Sequence, residues 1–201
     1  MTALNIASLL GYCVIVTFTP GPTNIVILSG SYNFGIKKTL QFVYGATAAF
    51  VVLLSFSVIL SGLLMAGMPK ILLVMQATGG IYMLYLARLI YGADGANTSP
   101  GQAFTFVGGF LMQLVNPKVI IFTMTVIPSF IMPYDTSVTG LAIAVAAVTS
   151  IAFMAMLTWA LFGAAFKERL QKYRKTVNLI MGLFLVYSAI MMSGIVDLIK
   201  G

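Results

Sequence analysis

Long apolar stretches separated by short polar ones follow one another along the whole chain. A helix needs about 20 apolar residues to cross the hydrocarbon core of a bilayer, and each of these stretches is at least that long. Where they end, glycine, proline or basic residues follow. The pattern therefore predicts an all-α integral membrane protein with six transmembrane helices. Their expected ranges are 4–33, 39–66, 71–91, 104–133, 137–165 and 177–198.

The composition favours a membrane protein over a water-soluble one. Hydrophobic residues make up 60% of the chain and charged residues 7%, and the mean hydropathy is +1.05, whereas a soluble domain has roughly 25% charged residues. Histidine is absent and Cys13 is the only cysteine, so the chain lacks the residues for a Cys/His metal site or an internal disulfide. We therefore expect no enzyme activity, no cofactor and no metal.

Basic residues concentrate in alternate loops. Lys37 and Lys38 follow the first stretch, Arg88 closes the third, and the run KERLQKYRK at 167–175 follows the fifth, while the other two loops contain only Lys70. Cytoplasmic loops are rich in Lys and Arg, so these basic loops are expected inside a bacterial inner membrane and both termini outside. The net charge of +7 thus reflects topology, and we expect the lipid bilayer, not nucleic acid, as the partner.

One segment divides this single transmembrane domain into two halves. GADGANTSPGQ, residues 92–102, is rich in glycine, serine and proline, and it separates residues 1–91 from residues 103–201. Each half contains three predicted spans, and an odd number of spans inverts the second half relative to the first. The pattern predicts a 3+3 inverted repeat, which is indicated mainly by the positions of two helix breaks.

These breaks interrupt the first and fourth spans near the middle of the membrane. TPGPTN occupies residues 19–24 and NPK occupies residues 116–118. A proline removes a backbone donor and strands the carbonyl four residues earlier, here those of Val16, Phe18 and Gln113. A single proline would indicate a simple kink, but broken helices at corresponding places in two halves are typical of a transporter's central site.

The breaks supply candidate groups for binding an amino acid. The half-helices that begin there would direct free N–H groups and positive dipole ends toward a carboxylate. Lys118 is a cation at a depth where a charge costs about 2.5 to 3.5 kcal/mol, so it meets either an anionic ligand or the stranded carbonyls and Asn116. The stranded carbonyls and the side-chain amides can accept from an ammonium group, although Asn24 has capping of its own half-helix as an alternative role. The candidate substrate-binding residues are Thr19, Pro20, Gly21, Pro22, Thr23, Asn24, Gln113, Asn116, Pro117 and Lys118.

Together these motifs resemble the lysine exporter superfamily, specifically its homoserine/threonine-exporter branch. The resemblance rests on TPGPTNIVILS followed by Gly35, on QLVNPKVIIF, on the basic loop and on NLIMGLFLVYSAI at 178–190, and it covers nearly the whole chain. It implies a six-span inner-membrane secondary transporter driven by an ion gradient. The implied substrates are small amino acids or their derivatives: cysteine and O-acetylserine, whose exporters the chain resembles most, or threonine and homoserine.

The residues themselves leave other functions open. A channel for small solutes, a membrane scaffold without transport activity and a membrane thiol oxidoreductase all fit a small apolar helical chain. The lone Cys13 disfavours the redox function, because a thiol relay needs a second sulfur. We predict export by alternating access of the two halves around a site at mid-membrane depth. The sequence leaves homodimerisation open.

Overall fold

The computed structural model describes residues 3–60, 81–90 and 104–192, apart from 82 and 89. All regular secondary structure in these ranges is helical, which confirms the predicted all-α class. The helical residues between 81 and 90 are called α4 here. The other helices are α1 (Ala3–Phe18), α2 (Pro22–Phe34), α3 (Ile36–Leu60), α5 (Phe106–Leu114), α6 (Pro117–Val126), α7 (Val138–Ala165), α8 (Lys167–Lys172) and α9 (Arg174–Met192), and a π-helical turn, Ile127–Ile131, follows α6.

Two single helices in the described ranges are long and apolar enough to cross a membrane. They are Ile36–Ile59 within α3 and Val138–Ala165, which is α7. The bent pairs α1–α2 and α5–α6 also qualify when each pair is counted as one span, the second pair extending through Ile131. The described residues thus contain two to four candidate spans, in agreement with the first, second, fourth and fifth predicted ranges.

The sixth predicted span, 177–198, is described as far as residue 192 within α9, which is not among these candidate spans. The other predictions of topology concern residues outside the described ranges. Most of the third predicted span, 71–91, and the whole linker, 92–102, lie there. The count of six spans, the inverted repeat and the division into residues 1–91 and 103–201 therefore stay predictions.

Both predicted helix breaks are present. The chain bends by 52° between α1 and α2 and by 66° between α5 and α6. α2 and α6 begin at Pro22 and Pro117, which is a favourable position because the first helical N–H has no partner within its helix. Asn116 caps α6, since its Oδ1 accepts from the Lys118 backbone N–H at 3.1 Å. The two predicted helix breaks are confirmed.

Gly35 lets the chain reverse between α2 and α3. Its backbone has φ 86° and ψ 159°, and its N–H donates to Ser31 O at 3.2 Å. A residue with a Cβ is strained in this region, so glycine terminates α2 without cost to the backbone. α3 starts at the next residue, and Lys37 and Lys38 are exposed at the turn.

Glycines allow α3 and α5 to cross at very short distance. A Cβ placed on Gly45 of α3 would lie 1.8 Å from Phe106 O, and one placed on Gly109 of α5 would lie 2.0 Å from Phe42 O. The contact is reciprocal, because each helix offers a glycine to the backbone of the other. Small residues at such crossings are how membrane helices gain packing energy without a hydrophobic driving force.

Two clusters of buried apolar side chains make up the interior. One contains Tyr32, Phe42 and Met156, and the other contains Phe50 and Phe122 together with Cys13. The Cys13 side chain is fully buried. Of the polar residues of the two breaks, Thr23, Asn24 and Asn116 are buried, whereas Thr19 is exposed.

Candidate functional site

The two helix breaks lie against each other and are joined by a hydroxyl group. Thr23 Oγ1, in the first turn of α2, donates to Gln113 Oε1 at 2.9 Å and accepts from Asn116 Nδ2 at 2.8 Å. The three side chains are only 5%, 3% and 1% exposed, respectively. A threonine hydroxyl has a single proton, so the donor capacity of Thr23 is fully used. Its observed role is to hold two amides of the second half against the first half.

Lys118 makes a second link between the breaks. Its Nζ donates to Thr19 O at 3.0 Å and to Thr19 Oγ1 at 3.2 Å. The described acidic residues, Asp135 and Glu168, are exposed and lie before α7 and in α8, and neither pairs with Lys118. Nζ thus binds Thr19 and neither the stranded carbonyls nor the Asn116 side chain named in the prediction, and contact with an anionic ligand stays a prediction. An ammonium group has three protons, so one remains for a further partner.

Asn24 connects α2 to the end of α1. Its Nδ2 donates to Thr17 O at 2.9 Å and to Thr19 O at 3.0 Å. The alternative that Asn24 caps its own half-helix is wrong, because the N-cap position of α2 is Gly21 and no side chain caps it. Both amide protons of Asn24 are used to stabilise the chain that follows α1.

The carbonyls stranded by the prolines all have donors within the protein. Val16 O lies 3.0 Å from Thr19 Oγ1, whose single proton it shares with Ile15 O at 2.8 Å, and Gln113 O accepts from the Asn116 N–H at 3.3 Å. Phe18 O accepts from Trp159 Nε1 of α7 at 3.1 Å. Each of these carbonyls thus has a donor nearby in the protein. A carbonyl oxygen has two lone pairs, so their role as acceptors for an ammonium group stays a prediction.

Trp159→Phe tests the importance of one of these donors. The change keeps a large aromatic ring but removes the N–H, so the Phe18 carbonyl is left without its donor. We expect the free energy of unfolding to fall by about 1 to 3 kcal/mol, measured as the shift in thermal unfolding of the purified protein in detergent. Phe162→Leu, on the exposed side of the same helix, is the control. An unchanged unfolding midpoint for Trp159→Phe would contradict the role assigned to this bond.

A cavity of about 40 Å³ lies between the breaks. Since one water needs about 10 to 15 Å³, this space holds a few waters and is too small for an amino acid. Most of its polar lining was predicted from the sequence, but Thr19, Pro20, Pro22 and Pro117 do not line it. Its polar lining residues are Thr17, Gly21, Thr23, Asn24, Gln113, Asn116 and Lys118, and its apolar ones are Val16, Phe50, Val119, Phe122, Ala152 and Met156.

The lining residues absent from the prediction are mostly apolar, and they come from α1 and α6 as well as from α3 and α7. Phe50, Ala152 and Met156 belong to long apolar stretches in which no local signal distinguishes a cavity wall from lipid-facing surface. Trp159 is not in the cavity lining, but its bond to Phe18 fixes the first break. These residues can be located only when the helices are seen packed together.

Three polar groups of the cavity retain unused hydrogen-bonding capacity toward the described residues. Lys118 Nζ and Gln113 Nε2 are donors from the second half, and Asn24 Oδ1 is an acceptor from the first half. Asn24 and Gln113 are both more than 90% buried. The helix ends reinforce this division, because α2 and α6 begin here with positive partial charge and α1 ends here with negative partial charge. These groups are complementary in charge to one carboxylate and one ammonium group.

Comparison with known proteins assigns most of the chain to one family. The family model described as LysE type translocator matches residues 14–193. A cysteine/O-acetylserine efflux protein of Klebsiella pneumoniae subsp. pneumoniae is 28% identical over 191 residues, covering 94% of this chain and 97% of the relative. The protein of the same name in Escherichia coli O1:K1 is 26% identical over 194 residues, covering 94% and 98%. No solved structure matches the chain.

Proposed function

Because this chain belongs to the LysE type translocator family, we propose that it exports a small amino acid by alternating access around the cavity between its two helix breaks. Family membership and the apolar helices make it a multi-pass membrane transporter rather than an enzyme. The observation that carries the proposal is the meeting of two broken helices, 90 or more residues apart in sequence, around Lys118.

The chemistry of the cavity supports an amino acid as the substrate. Lys118 Nζ and Gln113 Nε2 suit a carboxylate, and Asn24 Oδ1 suits an ammonium group. The rest of the wall is apolar, with Phe50, Phe122 and Met156 among its members, and Lys118 is the only charged residue that lines it within the described part of the chain. A substrate with a small uncharged side chain fits these surroundings. The names of the relatives agree, so cysteine and O-acetylserine are the first candidates and threonine and homoserine the next.

The size of the cavity supports alternating access. At about 40 Å³ it is closed to an amino acid, and the bonds of Thr23 and Lys118 hold the two halves together across it. Transport then requires these links to open on one side of the membrane and later on the other. The positive-inside pattern indicates uptake of substrate from the side of Lys37 and Lys38, with both termini outside.

The rival functions have less support. A permanently open channel is disfavoured because polar links close the space between the breaks. A thiol oxidoreductase is disfavoured because the one cysteine, Cys13, is fully buried. A scaffold gives no reason to place a lysine at a cavity inside the bundle, where none of the described acidic residues pairs with it.

Efflux of labelled amino acids from cells that express the protein tests the proposal. Wild type is expected to export cysteine or O-acetylserine with saturable kinetics, and Lys118→Ala is expected to reduce the rate about tenfold or more, because a charge-assisted contact of about 1.5 to 3 kcal/mol is lost. Lys38→Ala, an exposed lysine at the turn before α3, is the matched control, and expression levels are equalised by immunoblot.

The proposal fails if wild type exports none of cysteine, O-acetylserine, threonine and homoserine. Efflux that rises linearly without saturation would instead favour a channel. If Lys118→Ala and Lys38→Ala lose efflux equally, the loss is not specific to the central cavity, and the cavity does not explain transport.

A further inference from the structure

The ammonium group of Lys118, a residue of the cavity lining, is bound by an exposed residue that lies outside that lining. It lies on Thr19 O at 3.0 Å and on Thr19 Oγ1 at 3.2 Å. Thr19 directly follows α1, whose last carbonyls carry negative partial charge. Thr19 O also accepts from Asn24 Nδ2 at 3.0 Å, so both of its lone pairs are in use.

An amino acid that enters the cavity brings an ammonium group of its own. That group competes with Lys118 for acceptors such as Thr19 O, and two cations about 3 Å apart repel each other. The amino acid also brings a carboxylate, which is a stronger partner for a lysine than a neutral carbonyl. If Lys118 leaves Thr19 and pairs with the carboxylate, it avoids the repulsion and gains the stronger partner.

We propose that, before substrate binds, the ammonium group of Lys118 occupies the position that the ammonium group of the substrate takes on loading. On loading, its Nζ moves from Thr19 to the substrate's carboxylate, and the substrate's ammonium group takes its place on Thr19 O. The exchange keeps a charge-assisted bond on Thr19 O and breaks the Lys118–Thr19 link between the two halves of the protein. This inference rests on the proposed function and adds to it a requirement that the substrate carry both groups.

Gly21 provides the space for this movement. A Cβ on Gly21 would lie 3.0 Å from both Cδ and Nζ of Lys118. The backbone of Gly21, with φ −155° and ψ 170°, is extended and open to any residue. The backbone conformation therefore does not require glycine at this position, and the missing side chain leaves room for Lys118.

An amine that lacks a carboxylate tests this exchange. Its transport is compared with that of the corresponding amino acid, which shows whether the carboxylate is needed to release Lys118 from Thr19. The probes are cysteine and cysteamine, which is cysteine without its carboxylate, with threonine and 1-aminopropan-2-ol as a second pair. Uptake of each is measured in proteoliposomes containing wild type, Lys118→Met or Lys38→Met. In wild type the amine has no means of releasing Lys118, so we expect it to be transported at least about tenfold more slowly than the amino acid.

Lys118→Met is expected to reverse this preference. The variant loses amino acid transport about tenfold or more, because the partner of the carboxylate is gone, but it gains amine transport at least about tenfold over wild type, because Thr19 O is vacant. Lys38→Met is expected to behave as wild type. A Lys118→Met protein that elutes as a single species but transports neither compound overturns the inference, as does a wild type that accepts amine and amino acid equally.

Gly21→Ala keeps the test decisive if Lys118→Met does not fold. The added methyl group would lie 3.0 Å from Cδ and Nζ of Lys118, so the lysine must shift and its bonds to Thr19 weaken while the charge stays in the cavity. We expect the preference for amino acid over amine to shrink about threefold or more, whereas an unchanged preference contradicts the inference. If the wild-type protein transports neither amino acid, the proposed function itself is refuted. Transport that does not depend on Lys118 would overturn only this further inference.

Discussion

Gly45→Ala is expected to separate α3 from α5 and to lower the free energy of unfolding by about 3 kcal/mol or more. The new Cβ would lie 1.8 Å from Phe106 O, 2.7 Å from its carbonyl carbon and 3.0 Å from its Cα. These are backbone atoms of a helix, so no side-chain rotation can relieve the overlap. The yield of monodisperse protein in detergent and its thermal unfolding midpoint measure the effect.

Gly11→Ala is the matched control for this substitution. Gly11 lies in α1, and a Cβ added there would meet no atom of another described helix within 4 Å. Alanine is also the better helix former by about 1 kcal/mol. The control should fold as well as wild type or slightly better. Equal behaviour of the two variants would mean that the close crossing of α3 and α5 does not limit stability.

Thr23→Val is expected to produce the second largest loss of stability and to abolish transport. Valine has nearly the shape of threonine, but it can neither donate to Gln113 Oε1 nor accept from Asn116 Nδ2. Two amide groups then remain buried without partners, at about 1 to 3 kcal/mol each, so the free energy of unfolding should fall by about 2 to 6 kcal/mol. Thermal unfolding and amino acid efflux are measured on the same preparation.

Two further variants identify the hydroxyl group as the cause. Thr125→Val removes a hydroxyl that donates to Ile121 O of its own helix at 2.7 Å, and it should have little effect. Thr23→Asn restores both a donor and an acceptor and should recover part of the lost stability. If Thr23→Val unfolds at the same temperature as wild type, Thr23 does not join the two breaks as described.

The helix breaks could be predicted from the sequence because proline acts locally. The missing N–H of Pro22 and of Pro117 interrupts the helix whatever surrounds it, and both half-helices begin at these residues. The α3 and α7 spans could be predicted equally well, since a long apolar stretch without charge has few alternatives to a membrane-spanning helix. In each case the signal lies within the segment itself.

The partners across the breaks could not be predicted in the same way. Three hydrogen bonds join residues that are far apart in sequence: Thr23 to Gln113 (90 residues), Lys118 to Thr19 (99 residues) and Trp159 to Phe18 (141 residues). Any polar group enclosed in an apolar bundle must bond to something, but which group it meets depends on how the helices pack. This is why the candidate residues were largely brought together as expected, while several of their individual roles were not.

The bond between Trp159 and Phe18 also gives the protein a built-in optical probe. The chain contains one tryptophan, so its intrinsic emission comes from a single indole, and the polar end of that indole is bound to the last residue of α1 at 3.1 Å. Indole emission depends on what surrounds the ring and its N–H. Fluorescence of the unlabelled wild-type protein therefore reports on the first helix break alone, and can be followed in real time while substrate is added.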